Sequence, residues 1–410
     1  MAHVFSDRVI VAIDVGTTKI CVLVAQKLCD DQMTIVGIGK APSEGLKKGV
    51  VVNIGQTVLS IKSAVKEAEL MAGMTITSAY IGISGSHIHS INSQGAVPIK
   101  RGVVRAQDIS NVISAAQAIP IPEGQHILHV LPQYFVVDNQ ERVNDPIGMH
   151  GVRLEVMTHI ITGATALVAN LVSCCEQAGV DVRDVILEPI ASAAAVLTPD
   201  EQELGVGILD IGGGTSDFAV YQHGTIRYTK VVPIAGMQFT RDIAIGLRTP
   251  LDDAERIKRE YGAADLSCIE KDLIIDAASI QGSERQKIQQ EYVVSILNAR
   301  ARELLEFIKH DMDAFDIAPS MAAGLVLTGG GALLRGLDTL AQNMFHMPVR
   351  VGMPKISFDM PVTLKSPIYA TGYGLLLSAL TKGTSRVDSS YEPFVKRMLS
   401  SMKSWVSDFF

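Results

Sequence analysis

The chain has 410 residues, too many for one simple core, so we expect at least two domains. An apolar fraction of 47% with 19% charged residues excludes a disordered chain, and the net charge of -7 provides no basic surface for nucleic acid as a main partner. Five cysteines without a CxxC pair argue against a zinc site or a disulfide framework and favour reduced thiols in a cytoplasm.

The first predicted element is a short apolar strand that stops at an aspartate. Residues 9–19, VIVAIDVGTTK, leave the strand at Asp14 and turn through Gly16 into hydroxyl residues. Glycine lets the backbone N–H groups of such a turn approach an anion without a Cβ clash. Strands and helices then alternate, with a strand at 35–39, a helix at 55–71 and a strand at 79–83. We assign residues 1–83 to the first part of an α/β domain.

Residues 84–159 interrupt this domain with a different pattern. The segment contains a turn-rich stretch, SGSHIHSINSQG, a helical stretch at 106–118 and a strand region punctuated by proline, IPIPEGQHILHVLPQYFVV. We interpret it as an inserted subdomain. The first domain resumes over 160–194 with a strand, a helix and a second strand that ends at Glu188.

A second series of strands and helices opens in the same way as the first. Residues 205–218, GVGILDIGGGTSDF, form an apolar strand that stops at Asp210, passes three glycines and reaches Thr215 and Asp217. A further glycine run, 329–331, follows another apolar strand. The remaining predicted boundaries are the second domain at 195–237 and 320–364, its mostly helical and charged insertion at 238–319, a closing helix of the first domain at 365–380, a flexible linker at 381–393 and an amphipathic helix at 394–410.

The two strand ends together predict a nucleotide-binding cleft. Two such turns facing each other would hold the phosphates of one nucleotide, and Asp14 and Asp210 would bind Mg²⁺ through its waters. Glu255 and Lys258 lie three residues apart on one helical face, and Glu188 at a strand end would orient a water. A single aspartate–glycine turn is often ordinary turn chemistry. The alternative for Glu188 is a carboxylate that caps a helix or forms a salt bridge.

The chain ends in a segment of divided polarity. Residues 381–393 are polar and broken by proline, as in a flexible tether, whereas the apolar side chains of 394–410 fall within roughly 160° of a helical projection. This division is typical of a helix that lies in a membrane interface, and docking on the protein's own body is the alternative. The residues assigned to the membrane are Phe394, Met398, Leu399, Met402, Trp405, Val406, Phe409 and Phe410. Elsewhere no apolar run approaches the ~18 residues that span a bilayer, and no secretion signal is recognisable, so we expect a cytosolic body.

The motifs, in this order, resemble those of the actin-like ATPase superfamily. The resemblance implies two RNase-H-like α/β domains flanking a nucleotide cleft, with an inserted subdomain in each. It implies ATP and Mg²⁺ as cofactors, Glu255 and Lys258 beside the adenine and ribose, and Glu188 beside the attacking water. The expected nucleotide-binding residues are Asp14, Gly16, Thr17, Thr18, Lys19, Asp210, Gly212, Gly213, Gly214, Thr215, Asp217, Glu255, Lys258, Gly329, Gly330 and Gly331.

The first inserted segment decides among members of the superfamily. Its stretches ISGSHIHSINSQ, ILHVLPQ and GMHGVRLE resemble the bacterial FtsA cell division family, and the likeness runs through essentially the whole chain. It implies an ATP-binding protein with at most slow ATPase activity. Such a protein would be peripheral, would polymerise on the cytoplasmic face of the inner membrane at the division septum, and would bind FtsZ and other division proteins. The FtsZ contact would lie on a helix at 291–313, with Arg300 and Glu303 as candidates, although a charged helix face is by default simply solvated.

Two other interpretations remain open. A small-molecule, sugar-type kinase of the same superfamily would need a carboxylate base beside its substrate hydroxyl, and the sequence offers no candidate beyond the magnesium aspartates. A pilus-assembly relative that binds a peptide of a membrane partner would lack the amphipathic terminus.

Overall fold

The computed structural model describes residues 9–29, 32–138, 140, 142–280, 285–355 and 361–384. The first half opens with an antiparallel meander followed by a parallel strand. Its elements are β1 (Val9–Val15), β2 (Lys19–Cys29), β3 (Gln32–Pro42), β4 (Leu46–Lys47), β5 (Val50–Val51), α1 (Ile54–Ala72) and β6 (Ser78–Ile83). Helix α1 returns the chain across the sheet, so β6 pairs parallel with β1, whereas the tight turn after β1 makes β2 antiparallel.

The inserted subdomain is a small sheet with one helix on it. Its elements are β7 (His89–Pro98), α2 (Ala106–Gln117), β8 (Gln125–Val137) and β9 (Arg153–Ala164). The strands lie in the order β7-β9-β8. Val112 on α2 packs with Phe135, Leu154 and Val156 of the sheet, so the subdomain has its own apolar core.

The first half then closes and leads into the connection between the halves. The elements are α3 (Thr165–Gln177), β10 (Asp181–Leu187), α4 (Glu188–Val196) and α5 (Pro199–Leu204). The completed first sheet has the order β10-β6-β1-β2-β3. Pro189 lies in the first turn of α4, where its missing N–H costs nothing, so the chain passes directly from strand to helix.

The second half repeats the topology of the first. Its elements are β11 (Val206–Ile211), β12 (Ser216–Gln222), β13 (Thr225–Val232), α6 (Gly236–Leu247), α7 (Leu251–Tyr261), β14 (Ile274–Ala278), β15 (Arg285–Gln289), α8 (Gln290–Ala314), β16 (Leu325–Thr328), α9 (Leu337–Phe345), β17 (Val349–Val351) and α10 (Ala370–Thr384). The sheet order β13-β12-β11-β16-β17 again joins an antiparallel meander to two parallel strands. The insertion after β13 contains the hairpin of β14 and β15 as well as helices, so the prediction of a mostly helical insertion was incomplete.

Helices α4 and α10 lie between the two sheets and share one core with both. Leu23 of the first sheet, Ile208 of the second and Leu376 of α10 belong to the same buried cluster. The helices cross so closely that a Cβ on Gly374 would lie 1.7 Å from the carbonyl oxygen of Ala191, so this position requires glycine. Three predicted domain boundaries, at 159, 194 and 237, fall inside β9, α4 and α6. The other domain boundaries stay predictions.

Candidate functional site

The two aspartate–glycine strand ends fold into the same turn. After β1, the backbone N–H of Gly16 donates to the carbonyl of Lys19 at 3.1 Å, and after β11 the N–H of Gly212 donates to the carbonyl of Thr215 at 3.0 Å. Each turn closes an antiparallel pair, and each carries an aspartate at the end of its first strand. We call the two turns, residues 16–19 and 212–215, the first and second hairpin turns.

The two hairpin turns face each other across the junction of the halves. A Cβ added to Gly213 would lie 2.4 Å from the hydroxyl oxygen of Thr18, and one added to Gly214 would lie 2.3 Å from that of Thr17. Only glycine lets the turns approach this closely. Residues that the sequence predicted to bind phosphate from opposite sides therefore lie in contact.

Three aspartates are buried beside these turns. Asp14, Asp210 and Asp217 are 8%, 5% and 2% exposed. Burial raises the pKa of Asp14 to about 6, against the opposing effect of Lys19, and burial raises the pKa of Asp217 to about 8 despite a hydrogen bond from Ser84. Burial also raises the pKa of Asp210. The carboxylates raise one another's pKa as well, so the cluster favours a cation or protons.

Glu188 lies beside this cluster, at the first residue of α4. Its side chain packs over Gly82, whose ideal Cβ position is 3.2 Å from Glu188 Cγ. Burial, followed by the charges of Asp14, Asp217 and Asp210, raises its pKa well above the ordinary value. The helix cap is Leu187, and no basic side chain within the described ranges forms an ion pair with Glu188. The structure thus gives no support to the capping or salt-bridge alternative.

Hydroxyl groups that were not predicted hold two of the aspartates. Ser192 on α4 and Thr371 at the start of α10 both donate to Oδ2 of Asp210, the latter at 3.0 Å. Ser84, directly after β6, donates to Oδ1 of Asp217 at 2.6 Å. The sequence carried one usable signal: Ser192 lies shortly after Glu188, and Thr371 lies in the predicted closing helix of the first domain. Nothing local pointed from either residue to Asp210.

Lys19, one of the expected nucleotide-binding residues, has its ammonium at the start of the last helix. Lys19 Nζ donates to the carbonyl of Ile368 at 3.0 Å and lies 4.9 Å from the ring centroid of Tyr369. Lys40 approaches the same ring at 4.7 Å. Lys19 therefore joins the first hairpin turn to the segment that leads into α10.

Glu255 and Lys258 on α7 lie against the first turn of α6. Lys258 Nζ is 2.6 Å from Glu255 Oε2, and it donates to the carbonyl of Gly236 at 3.1 Å. The N–H of Gly236 in turn donates to the carbonyl of Gly212 at 3.0 Å, so the pair borders the second hairpin turn. Burial acts to raise the pKa of Glu255, but hydrogen bonds from Lys258 and Thr240 outweigh it and hold that pKa below its usual value.

The third glycine run lies beside the second aspartate. Gly329 follows β16 with φ of 80°, and its ideal Cβ position is 2.2 Å from Asp210 Oδ1. Gly331 packs against the side chain of Ile211. The run at 329–331 thus forms a wall beside the cluster, next to the second hairpin turn.

The donors of the cluster fit a hydrated magnesium ion. The raised pKa values show that the ionised carboxylates lack a balancing positive charge. A divalent cation with its waters would supply that charge. Across the described part of the chain, no three His, Cys, Asp or Glu side chains are arranged to ligate a metal directly.

The predicted partner residues are occupied within the protein. Arg300 on α8 forms a bidentate ion pair with Asp242 on α6, with Nε 2.5 Å from Oδ2 and Nη2 3.0 Å from Oδ1, and it also contacts Glu303. The predicted amphipathic helix at 394–410, and the linker from residue 385, lie outside the described residues. Within the described ranges, no helix is long and apolar enough to cross a membrane.

Comparison with known sequences gives consistent matches. A family model described as cell division protein FtsA matches residues 207–374, and one described as an SHS2 domain inserted in FTSA matches residues 85–162. FtsA of Pseudomonas aeruginosa is 43% identical over 414 residues, covering 99% of each chain. FtsA of Escherichia coli K12 is 36% identical over 407 residues, covering 96% of this chain and 97% of its own.

Solved structures show the same fold at low sequence identity. A PilM-PilN type IV pilus biogenesis complex matches with a TM-score of 0.66 and 17% identity, covering 90% of this chain and 98% of the other. MreB5 of Spiroplasma citri bound to ADP gives 0.57 and 15%, covering 92% and 97%. A MamK double helical filament gives 0.55 and 13%, covering 91% and 98%. The predicted actin-like fold of two α/β domains is confirmed.

Proposed function

The chain belongs to the FtsA family of cell division proteins, and we propose that it binds ATP, forms filaments on the cytoplasmic face of the inner membrane and anchors FtsZ filaments at the division septum. Family membership leaves the kinase and pilus-assembly interpretations without support. One observation carries the proposal: two glycine-containing turns with the same backbone hydrogen bond meet face to face over a buried carboxylate cluster. No core function explains so much unbalanced charge, because burial of unpaired carboxylates costs stability.

The first step of the proposal is nucleotide binding between the hairpin turns. Thr17, Thr18 and the glycines 212–214 would bind the phosphates through backbone N–H groups and hydroxyls. Glu255 and Lys258 would border the nucleoside. Mg²⁺, held through its waters by Asp14 and Asp210, would neutralise charge on the phosphates and lower the pKa of the carboxylates around it. The MreB5 relative was solved with ADP and with AMPPNP, which supports a nucleotide site in this fold.

The second step concerns hydrolysis, which we expect to be slow. The family resemblance assigns the water-positioning role to Glu188, whose pKa is held well above its ordinary value by burial and by the neighbouring aspartates. Glu188 would orient the attacking water, and the resemblance implies at most slow ATPase activity. ATP would then act mainly as a ligand that controls assembly.

The third step is attachment to the membrane through residues 394–410. Apolar side chains on one face would each gain ~1 kcal/mol from partial immersion, and that total is reduced by the cost of association. A single copy would therefore bind reversibly, and a row of copies would bind firmly through avidity. The MamK relative was solved as a double helical filament, which supports rows of this fold.

The fourth step is FtsZ binding near α8. The Arg300 side chain is 26% exposed and already paired with Asp242, so its charge is partly neutralised within the protein. We therefore propose that apolar side chains of this subdomain contribute beside Arg300 and Glu303. Phe307, one turn along α8 from Glu303 and 51% exposed, is the nearest candidate.

Electron microscopy on lipid monolayers tests the combined proposal. With ATP and Mg²⁺ the full chain should form ordered rows and recruit FtsZ filaments. A chain truncated after Pro393 should form no rows on lipid while it still binds nucleotide, because the cleft is intact. Asp210→Ala should bind neither ADP nor ATP at micromolar concentrations.

Two controls separate the parts of this proposal. The sole tryptophan, Trp405, lies in the amphipathic segment, so its emission should shift to the blue with anionic vesicles; an unchanged spectrum without co-sedimentation would remove the membrane step. Phe307→Ala should weaken FtsZ recruitment without affecting row formation. If Phe307→Ala and Arg300→Glu both recruit FtsZ as well as wild type does, the contact lies elsewhere.

A further inference from the structure

The inserted subdomain is joined to the second half by a buried hydrogen bond at its root. Ser84 follows β6 directly, and its hydroxyl donates to Asp217 Oδ1 at 2.6 Å and lies 3.2 Å from the hydroxyl of Thr215. Ser84 and Asp217 are 3% and 2% exposed. Both partners of Ser84 adjoin the second hairpin turn, so the insertion begins in contact with the candidate nucleotide site.

The body of the subdomain contacts the second half a second time, along strand β13. Ser90 donates to the carbonyl of Thr229 at 3.0 Å, Asn92 to that of Arg227 at 3.3 Å and Gln133 to that of Ile226 at 2.9 Å. β13 is an edge strand of its sheet, so its outward carbonyls need other donors. We call this set of contacts the β13 seam.

A buried histidine completes the seam. His159 on β9 has Nδ1 2.7 Å from Asn92 Oδ1 and Nε2 2.9 Å from the hydroxyl of Thr229. Each ring nitrogen thus has one partner, and one of the partners belongs to the second half. Each polar side chain of the β13 seam has a hydrogen-bond partner, so the seam fixes the position of the subdomain relative to β13.

The seam also borders open space into which the subdomain can turn. A cavity of about 770 Å³ lies between the inserted sheet and the turn from β12 to β13, with Asn92, Gln133 and Arg227 in its lining. The cavity lining is mostly polar, whereas farther along β13 Val231 shares a buried apolar cluster with Ile88 and Ile161. A small rotation would exchange the polar contacts of the seam for contacts with water.

We propose that the inserted subdomain is a second connection between the halves, with Ser84 as the positioning residue that reports the state of the nucleotide cleft to the β13 seam. This inference rests on the proposed nucleotide binding. Phosphates entering between the hairpin turns must change the distance between Thr17, Thr18 and the second hairpin turn. The Ser84–Asp217 bond spans the same gap, so it strengthens or breaks with occupancy, and the seam shifts with it.

The expected size follows from population arithmetic. Loss of a hydrogen bond that satisfies a buried carboxyl group costs roughly 1–3 kcal/mol in proteins, equivalent to about fivefold or more in the fraction of molecules with the halves correctly set. An apparent Kd rises by the factor by which the competent fraction falls. Ser84→Ala should therefore raise the Kd for ADP in the presence of Mg²⁺ about tenfold, although Ser84 itself is not expected to touch the nucleotide.

The experiment measures ADP affinity and hydrogen exchange on the full chain. The variants are Ser84→Ala, Ser84→Thr, Gln133→Ala and a matched control, Gln94→Ala, whose amide donates to Glu155 within the inserted sheet. In wild type, ADP with Mg²⁺ should change the exchange of β7 and β13 amides. Ser84→Ala should abolish that change, Ser84→Thr should restore the affinity to within threefold, and Gln133→Ala should speed ADP release several-fold while Gln94→Ala does not.

The outcomes separate this inference from the proposed function. A wild type that binds no ADP or ATP removes the nucleotide proposal and this inference with it. A wild type that binds ADP, with Ser84→Ala within twofold of it, overturns this inference alone. Failure of Ser84→Thr to restore affinity assigns the effect to packing and also overturns it, and so does an equal change in release rate for Gln133→Ala and Gln94→Ala.

Discussion

Besides the apolar core around α4 and α10, two polar contacts join the halves of this protein, and they are built from different chemistry. In the cleft, hydroxyls of Ser84, Ser192 and Thr371 donate to aspartates whose pKa values burial raises. At the β13 seam, side-chain amides and hydroxyls donate to backbone carbonyls, which carry no titratable charge. The cleft therefore responds to cations and protons, whereas most of the seam responds only to position. Under the proposal, the cleft needs titratable charge to sense a ligand, whereas the β13 seam needs only directed hydrogen bonds to transmit a movement.

The largest expected effect comes from removing the aspartate at the centre of the cleft. Asp210→Ala should weaken binding of ADP with Mg²⁺ by ~100-fold or more, because Asp210 serves the ion and also joins α4 to α10 through Ser192 and Thr371. Isothermal titration calorimetry measures the change. Asp181→Ala, an exposed aspartate on β10, is the control and should bind as wild type does; comparable loss in both variants would contradict a specific role for Asp210.

Stability of the nucleotide-free protein should depend on pH with opposite signs in the two regions. Folding raises the pKa of Asp14 to about 6 and of Asp217 to about 8 from 3.8, so the folded state binds more protons and the free energy of unfolding falls as pH rises through this window. Burial lowers the pKa of His159 to about 4 from 6.5, so the unfolded chain binds more protons there and stability falls as pH drops from 6.5.

Melting temperatures from pH 4.5 to 8.5 test these signs. We expect wild type without nucleotide to become more stable from pH 8.5 down to about 6.5, and the gain to be offset below that pH. His159→Gln, which keeps a polar side chain at the seam, should lose the offset and remain unchanged at alkaline pH. Equal profiles for the two proteins would assign no role to His159 in the acid branch.

Binding of ATP with Mg²⁺ should release protons from the cleft. At pH 7 the carboxyl of Asp217 is mostly protonated, and a divalent cation nearby favours its ionised form. We expect release of about one proton per molecule bound at pH 7, and less at pH 8.5, where the proton has already left. Calorimetry in buffers of different ionisation enthalpy measures the number, and proton uptake would contradict the assigned charge state.

The smallest expected effect is at the seam. Thr229→Val removes the hydroxyl partner of His159 Nε2 with almost no change of shape and should cost about 1 kcal/mol of unfolding free energy at pH 7.5. Thr225→Val is the matched control, because its hydroxyl donates to the nearby carbonyl of Gln222 on the same hairpin. Urea unfolding measures both. A cost for Thr229→Val that changes with salt would show that charge contributes at the seam after all.

The sequence predicted the cleft far better than the seam, and the reason is the range of the contacts. Asp14 and Asp210 are followed by the glycines that shape their own turns, so a dozen residues contain the signal for each. The seam joins Gln133 to Ile226 and Ser90 to Thr229, across 93 and 139 residues. Neither segment contains a local motif that points to its partner. Only the folded topology brings them together.

Residues in the junction were partly predicted for the same reason. Ser192 follows the predicted strand that ends at Glu188, and Thr371 lies in the predicted closing helix of the first domain, but the carboxylate that they share lies on another element, β11. The ion pair of Arg300 was missed because its partner, Asp242, lies on another helix of the insertion. Lys19 was assigned from its position in the turn, and its side chain extends to a carbonyl 349 residues away.

The crossing of α4 and α10 constrains how the halves can move. At Gly374 the helices touch backbone to backbone, with the ideal Cβ position 1.7 Å from the carbonyl oxygen of Ala191. Asp14 lies beside this crossing, with its Cβ 3.8 Å from the ideal Cβ position of Gly372. β13 lies two strands out from β11. Any rotation of one half about this crossing would therefore displace β13 farther than the phosphate site.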